Sequence, residues 1–171
     1  MAIGIERPAP AAASTRTSWI VYGVLLASLL IYGRIAFQVA AAEAGPSPSA
    51  ADLQPMLIGL VIVSVLITVA VIPLVRRFAL PPRRPPSPEA VAAPSTPATD
   101  AALRRLFTVQ VTSWAFAEAI AIYGLILSFL SHEPAYYLYF TLGALLNFAL
   151  YRPRRSLAEA VVAAAGPERS P

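Results

Sequence analysis

Residues Leu106 to Leu130 read LFTVQVTSWAFAEAIAIYGLILSFL, 25 residues with one ionisable side chain, Glu118, near the middle. An apolar run of that length is long enough to cross the hydrocarbon core of a bilayer as a helix. A carboxylate at mid-membrane is expensive, so Glu118 is the first candidate for a functional residue. On a helical wheel with ~3.6 residues per turn, Gln110, Ser113, Ala117, Ala121, Gly124 and Ser128 form a stripe beside it. Small residues at this spacing let a neighbouring helix approach closely, so the stripe predicts a packed face. At a rise of ~1.5 Å per residue, Glu118 lies ~20 Å from Arg105, close to the bilayer midplane.

Three further apolar segments surround this one. Ser18 to about Ala40 opens with Trp19 and Tyr22, aromatic residues of the kind that favour the membrane interface. Its alternative reading is a signal peptide, because AAAEA at Ala40 to Ala44 resembles a cleavage site, but the length favours a retained helix. Pro55 to Leu74 is a second span, rich in Val and Ile, in which Pro55 suits a first helical turn and Pro73 should bend or end the helix. Ala135 to Tyr151 is a fourth, 17 residues long, with Tyr136, Tyr137 and Tyr139 at one end and Tyr151 at the other. It sits at the lower length limit for crossing. The expected fold is an all-α membrane protein of four transmembrane helices arranged as two hairpins.

The rest of the chain frames these spans. Residues 1–17 read as a disordered N-terminus, 18–75 as the first hairpin, 76–99 as a linker with seven prolines between Pro81 and Pro97, 100–151 as the second hairpin, and 152–171 as a basic, mostly disordered tail. Within the tail, SLAEAVVAAAG has the makings of a brief surface helix. The linker reads as a flexible tether; a ligand for a proline-recognising module is the sharper alternative. Asp100 is the expected cap of the third helix. The 13 basic residues are all arginine; apart from Arg34 inside the first span they lie in or beside the N-terminus, the linker and the tail, and the other two loops have none. By the positive-inside rule both ends and the linker are then cytoplasmic, with the protein multi-pass in a cell inner membrane. The same clustering argues against nucleic acid as the reason for a pI of 9.9.

The composition also limits the chemistry. There is no cysteine, which excludes disulfides, thiolate metal sites and cysteine nucleophiles, and only one histidine, His132. No metal, cofactor or catalytic residue is expected, and no cluster of acids and nucleophiles converges at one membrane face, so an enzyme is not the reading. His132 and Glu133, in the turn SHEP, are better explained by the polarity a turn needs than by a proton inlet or a weak metal site. Desolvation favours the neutral form of a buried acid, and a neutral Glu118 needs a hydroxyl or carbonyl partner on another helix. Ser28, Ser64 and Thr141 lie near its depth. An ionised Glu118 would instead call for Arg34, which sits about one turn away or else snorkels to the surface. Asn147 on the fourth span is expected to bond across helices.

The stretch FAEAIAIYGLILSFL, Phe116 to Leu130, resembles the carboxylate helix of rotary ATPase proteolipid (c-ring) subunits. Glu118 matches the acid that carries the proton or sodium ion in that family, with Ala117, Ala119, Tyr123 and Gly124 around it. The resemblance implies ion or proton translocation in an oligomer. It covers about 15 of the 171 residues, and neither the first nor the second span has the glycine repeat that the family packs against this helix. The remainder resembles a small bacterial four-helix membrane protein. Four short helices leave little room for a ligand pocket, so beyond the lipid bilayer the expected partners are other membrane subunits or further copies of the chain. The leading expectation is an accessory, assembly or structural subunit of a membrane complex.

Overall fold

The computed structural model describes residues 10–42, 49–79 and 96–165, and it is helical almost throughout. Helix α1 spans Pro10–Ala42 and α2 spans Ala50–Leu66. A π-helical turn at Ile67–Val71 joins α2 to α3, Ile72–Ala79. Helix α4 spans Pro97–Ser131, α5 Pro134–Leu150 and α6 Arg155–Ala165. Three stretches are long and apolar enough to cross a membrane: Ala11–Ala42, Ala51–Arg77 and Pro97–Ser131. The 17 residues of α5 are also strongly apolar but shorter.

Local chemistry sets the helix ends. Ser49 caps α2 in a reciprocal box with Asp52, each side chain bonding the other residue's backbone N–H. Pro55 therefore falls in the second turn of α2 rather than the first. Thr96 and Thr99 make the equivalent box at α4, with Pro97 in the first turn. The cap expected of Asp100 is thus taken by Thr96, and Asp100 lies in the first turn that follows, where a negative charge suits the helix dipole. Pro73 does not end the second span. Its ring would crowd the carbonyl four residues back, and the π turn immediately before it widens the backbone there, with the Ile72 N–H bonded to the Ile67 carbonyl. The helix then runs on to Ala79.

Side-chain pairings give the helix directions. Ser18 meets Gln110, Tyr22 meets Trp114 and Ser28 meets Glu118, so α1 and α4 run parallel. Trp114 meets Tyr151 while Gly124 abuts Tyr136, Tyr137 and Phe140, so α5 returns antiparallel to α4. Thr68 meets Asn147 and Arg76 stacks on Tyr151, so the second span runs alongside α5. The expected second hairpin is present as α4 and α5, which share the largest contact in the molecule. The expected first hairpin is not packed as one: α1 and α2 barely touch, and each lies against the α4–α5 pair instead. The reason is chemical, since α1 places Ser18, Tyr22 and Ser28 on partners in α4 and α5 and α2 offers none of comparable kind.

The apolar core sits between α1, α4, α5 and the π turn. It contains Tyr22, Leu29, Ile67, Ile72, Trp114, Ala117, Ile120, Leu127 and Phe148. A second, smaller cluster lies at the end where α1 and α4 begin: Ala11, Leu103, Leu106, Ala158, Val161 and Val162. Residues 10–17 are not disordered but form the first turns of α1, and the expected tail helix does form, as α6 (Arg155–Ala165), but its apolar face closes over the starts of α1 and α4. At ~1.5 Å per residue α4 is ~50 Å long, well beyond a ~30 Å hydrocarbon core, so its first turns belong to this extra layer. The remaining linker residues, 80–95, lie outside the described residues, as do 1–9, 43–48 and 166–171.

Candidate functional site

Ser28 and Tyr32 are four residues apart on α1, which places them on one face of the helix. Both reach Glu118 on α4. The Ser28 hydroxyl lies 2.6 Å from Glu118 Oε1, and the Tyr32 hydroxyl donates to the same oxygen at 3.0 Å. Ser28 Oγ is also 2.7 Å from the carbonyl of Leu25. One hydroxyl proton thus faces two acceptors. With Glu118 ionised, Ser28 and Tyr32 both donate to it. With Glu118 neutral, the acid proton goes to Ser28 Oγ, and Ser28 gives its own to Leu25. The cluster satisfies either state with the same heavy-atom positions.

The other expected site residues are placed as follows. Arg34 is exposed on α1, and no ion pair joins it to Glu118. Ser64 turns back to donate to its own helix at Leu60, and Thr141 is half-buried on α5 and makes none of the hydrogen bonds to the carboxyl, which come from Ser28 and Tyr32. All six stripe residues of α4, Gln110, Ser113, Ala117, Ala121, Gly124 and Ser128, are buried. They serve different neighbours. Gln110 Oε1 accepts from Ser18 on α1 at 2.8 Å. Ser113 donates to Val109 of its own helix. Gly124 is where α4 and α5 touch: a Cβ there would lie 2.6 Å from Phe140 Cβ and 2.9 Å from the Tyr136 carbonyl oxygen. Asn147 donates from Nδ2 to Thr68 Oγ1 at 3.0 Å and to the Gly143 carbonyl at 2.9 Å, and the Thr68 hydroxyl donates to the Ser64 carbonyl.

Four side chains make contacts that escaped the sequence reading. Tyr32 was legible as the residue one turn beyond Ser28, but an aromatic in a span reads first as packing. Trp114 and Tyr22 act at the C-terminal end of α5, where carbonyls lack intrahelical donors. Trp114 Nε1 donates to Tyr151 O at 2.9 Å and Tyr22 Oη to Phe148 O at 3.1 Å, and their rings pack edge to face with each other. Tyr137 donates to the carbonyl of Leu29, tying α5 to α1, and Gly33 leaves room for its ring. The contacts of Trp114, Tyr22 and Tyr137 do not show in spacing, because each is fixed by a helix distant in sequence.

At the far end of α4, His132 adopts the left-handed conformation (φ 59°) that ends the helix, and the Glu133 N–H bonds Ser131 Oγ. Among the described residues no three His, Asp or Glu side chains gather as a metal site would require. The arrangement joins α1 to α4 through the Glu118 carboxyl, whose side-chain partners among the described residues are the hydroxyls of Ser28 and Tyr32. No protein-family model, curated protein or solved structure matches this chain.

Proposed function

We propose that the protein is a multi-pass integral membrane protein that acts as an accessory, assembly or structural subunit of a larger membrane complex. The observation that carries this reading is the engagement of Glu118. The mid-span carboxyl has both hydroxyl partners on α1 of the same chain, so it works as a fixed tie between helices. Gln110 and Asn147 are used in the same way. What the molecule offers outward is apolar: Ile58, Ile62, Val65 and Val69 on the second span, and Ile20, Val24 and Ile31 on α1. Such faces suit lipid and the flanks of other membrane helices.

In this reading α5 is a fourth crossing. Its length of ~25 Å falls slightly short of the hydrocarbon core, but it lies along the apolar run of α4 with tyrosines at both ends. Arg16, Arg76, Arg77, Arg104, Arg105 and Arg152 collect at one end of the bundle, which the positive-inside rule assigns to the cytoplasm. Extraction in a mild detergent should recover the protein with stable membrane companions in native mass spectrometry. A lone monomer would sink the idea.

A second reading is reversible proton or ion carriage through Glu118 in an oligomer, as in proteolipid subunits. It is favoured by the Ser28 hydroxyl, which serves both charge states of the carboxyl without rearrangement. Glu118→Gln should then abolish proton flux in liposomes, and unchanged flux would remove it.

A further inference from the structure

Where α1 and α4 start, a cleft of about 550 Å³ opens between them. Its walls include Ser14 and Thr17 from α1 and Asp100, Arg104, Phe107 and Thr108 from α4. Exposed Trp19 lies one turn deeper on α1, and the uninterrupted apolar run of α4 begins at Leu106, so the cleft straddles the level where polar headgroups meet hydrocarbon. Asp100, Arg104 and Thr108 follow one another at four-residue steps and share a face of α4. Going inward, the order is carboxylate, guanidinium, hydroxyl, each ~6 Å apart along the axis. Asp100 and Arg104 carry opposite charges one turn apart, yet no ion pair joins them. The Arg104 guanidinium and the Asp100 carboxylate are both exposed, which leaves each open to a ligand.

An aminophospholipid presents its groups in the complementary order: a primary ammonium outermost, a phosphate beneath it, then ester oxygens and acyl chains. We propose that this cleft binds the phosphoethanolamine headgroup of a membrane lipid. Arg104 takes the phosphate, where guanidinium gives charge-assisted and often bidentate bonds. Asp100 accepts from the ammonium. Thr108, whose hydroxyl proton is already committed to the Arg104 carbonyl at 3.1 Å, presents its oxygen beside the glycerol region. Phe107 supports the first carbons of the chains. The proposal rests on the membrane reading above, and it goes beyond it by naming a lipid class.

The Asp100 partner makes the site selective. A choline headgroup has no N–H to donate, and a glycerol headgroup has no cation. The test is lipid retention by the full-length detergent-purified protein in native mass spectrometry, with phosphatidylethanolamine, phosphatidylcholine and phosphatidylglycerol of one chain length. Wild type should hold phosphatidylethanolamine about tenfold more tightly than the other two, the loss expected when one charge-assisted bond is missing. Asp100→Asn should erase that preference while leaving a phosphate-dependent basal affinity. Arg104→Gln should weaken all three lipids by about tenfold. Both side chains are exposed, so thermal melts of the variants should stay close to wild type, Asp100→Asn losing only the small contribution of its charge at the start of α4. Equal retention of the three lipids by wild type, or an unaltered preference in Asp100→Asn, would overturn the proposal. Alkaline carbonate washing of membranes separates the two levels: protein that stays in the membrane yet shows no preference ends the lipid site alone, whereas protein that washes off ends the membrane reading with it.

Discussion

The second span and α4 are both apolar helices of crossing length, and the more apolar of the two is the less buried. In the most hydrophobic window of Ala51–Arg77 only 11% of residues are buried within the molecule, against 44% for Pro97–Ser131. A water-soluble protein would show the opposite order, because burial there follows hydrophobicity. In lipid that drive is missing between helices, and close packing and hydrogen bonds decide which surfaces meet. Helix α4 carries Gln110, Ser113, Ala117, Ala121, Gly124 and Ser128, and it becomes the hub. The second span carries Val and Ile, which are as much at ease against lipid, and it remains a peripheral limb held by the π turn and Thr68.

Two glycines test this contrast most directly. At Gly124 an added methyl would meet Phe140 Cβ at 2.6 Å and the Tyr136 carbonyl at 2.9 Å, so two backbones would have to part. Gly124→Ala should cost about 1–3 kcal/mol, the range for overpacking, seen as a lower melting temperature in detergent. At Gly59, in the second span, an added methyl meets nothing within 4 Å. Gly59→Ala should leave the melt unchanged or raise it slightly through helix propensity. Equal losses at the two positions would show that the limb is packed as tightly as the hub.

How far the sequence foretold this arrangement depends on what each feature rests on. Three membrane-length helices and the small-residue stripe of α4 follow from hydropathy and helical periodicity, which are local. Ser28 was legible by depth alone. Arg34 was a reasonable partner for Glu118 by reach, but it points outward while Tyr32, on the same face as Ser28, takes the second contact. At the ends of the chain the tail helix was legible but its docking was not, nor was the order of residues 10–17. Both segments are alanine-rich, and they meet the rest of the molecule by burying Ala11, Ala158, Val161 and Val162 with Leu103 and Leu106. Neither partner can be recognised without the other. The same holds for the pairing of helices: a short loop between two spans suggests a hairpin, yet α1 lies on α4 because its polar residues do.

The aromatic end of the hub gives a smaller effect. Trp114 is fully buried and donates to Tyr151 O, whereas Trp19, on the rim of the same cluster, is 47% exposed. Trp114→Phe keeps most of the ring and removes the donor. It should lower stability by about 1 kcal/mol for the lost bond, together with a modest packing loss. Trp19→Phe should change the melt by less than the error of the measurement. A loss at Trp19 matching that at Trp114 would mean that the outer face of α1 is covered, by a partner or by a second copy, and would shift the boundary between hub and surface.

The smallest effect concerns the hydrogen bond between side chains that ties the π turn to the hub. Asn147 donates to Thr68 Oγ1 at 3.0 Å, and Thr68 sits within the π turn. Asn147 also donates to Gly143 in its own helix, so Asn147→Leu alone would mix two losses. Thr68→Val removes the acceptor at nearly constant shape, and the double-mutant cycle isolates the shared bond. Interhelical polar contacts of this kind average ~0.6 kcal/mol in membranes, which is the coupling expected here. The cycle also discriminates between two ways of holding the limb. A coupling near that value fits a limb held in part by this polar contact, alongside Arg76 on Tyr151 and the fit of Ile67 and Ile72, both buried, against the hub. A coupling near zero would shift the weight of the attachment to the apolar fit of the π turn and to Arg76 on Tyr151, and truncating Ile72 should then loosen the second span while α1, α4 and α5 stay together.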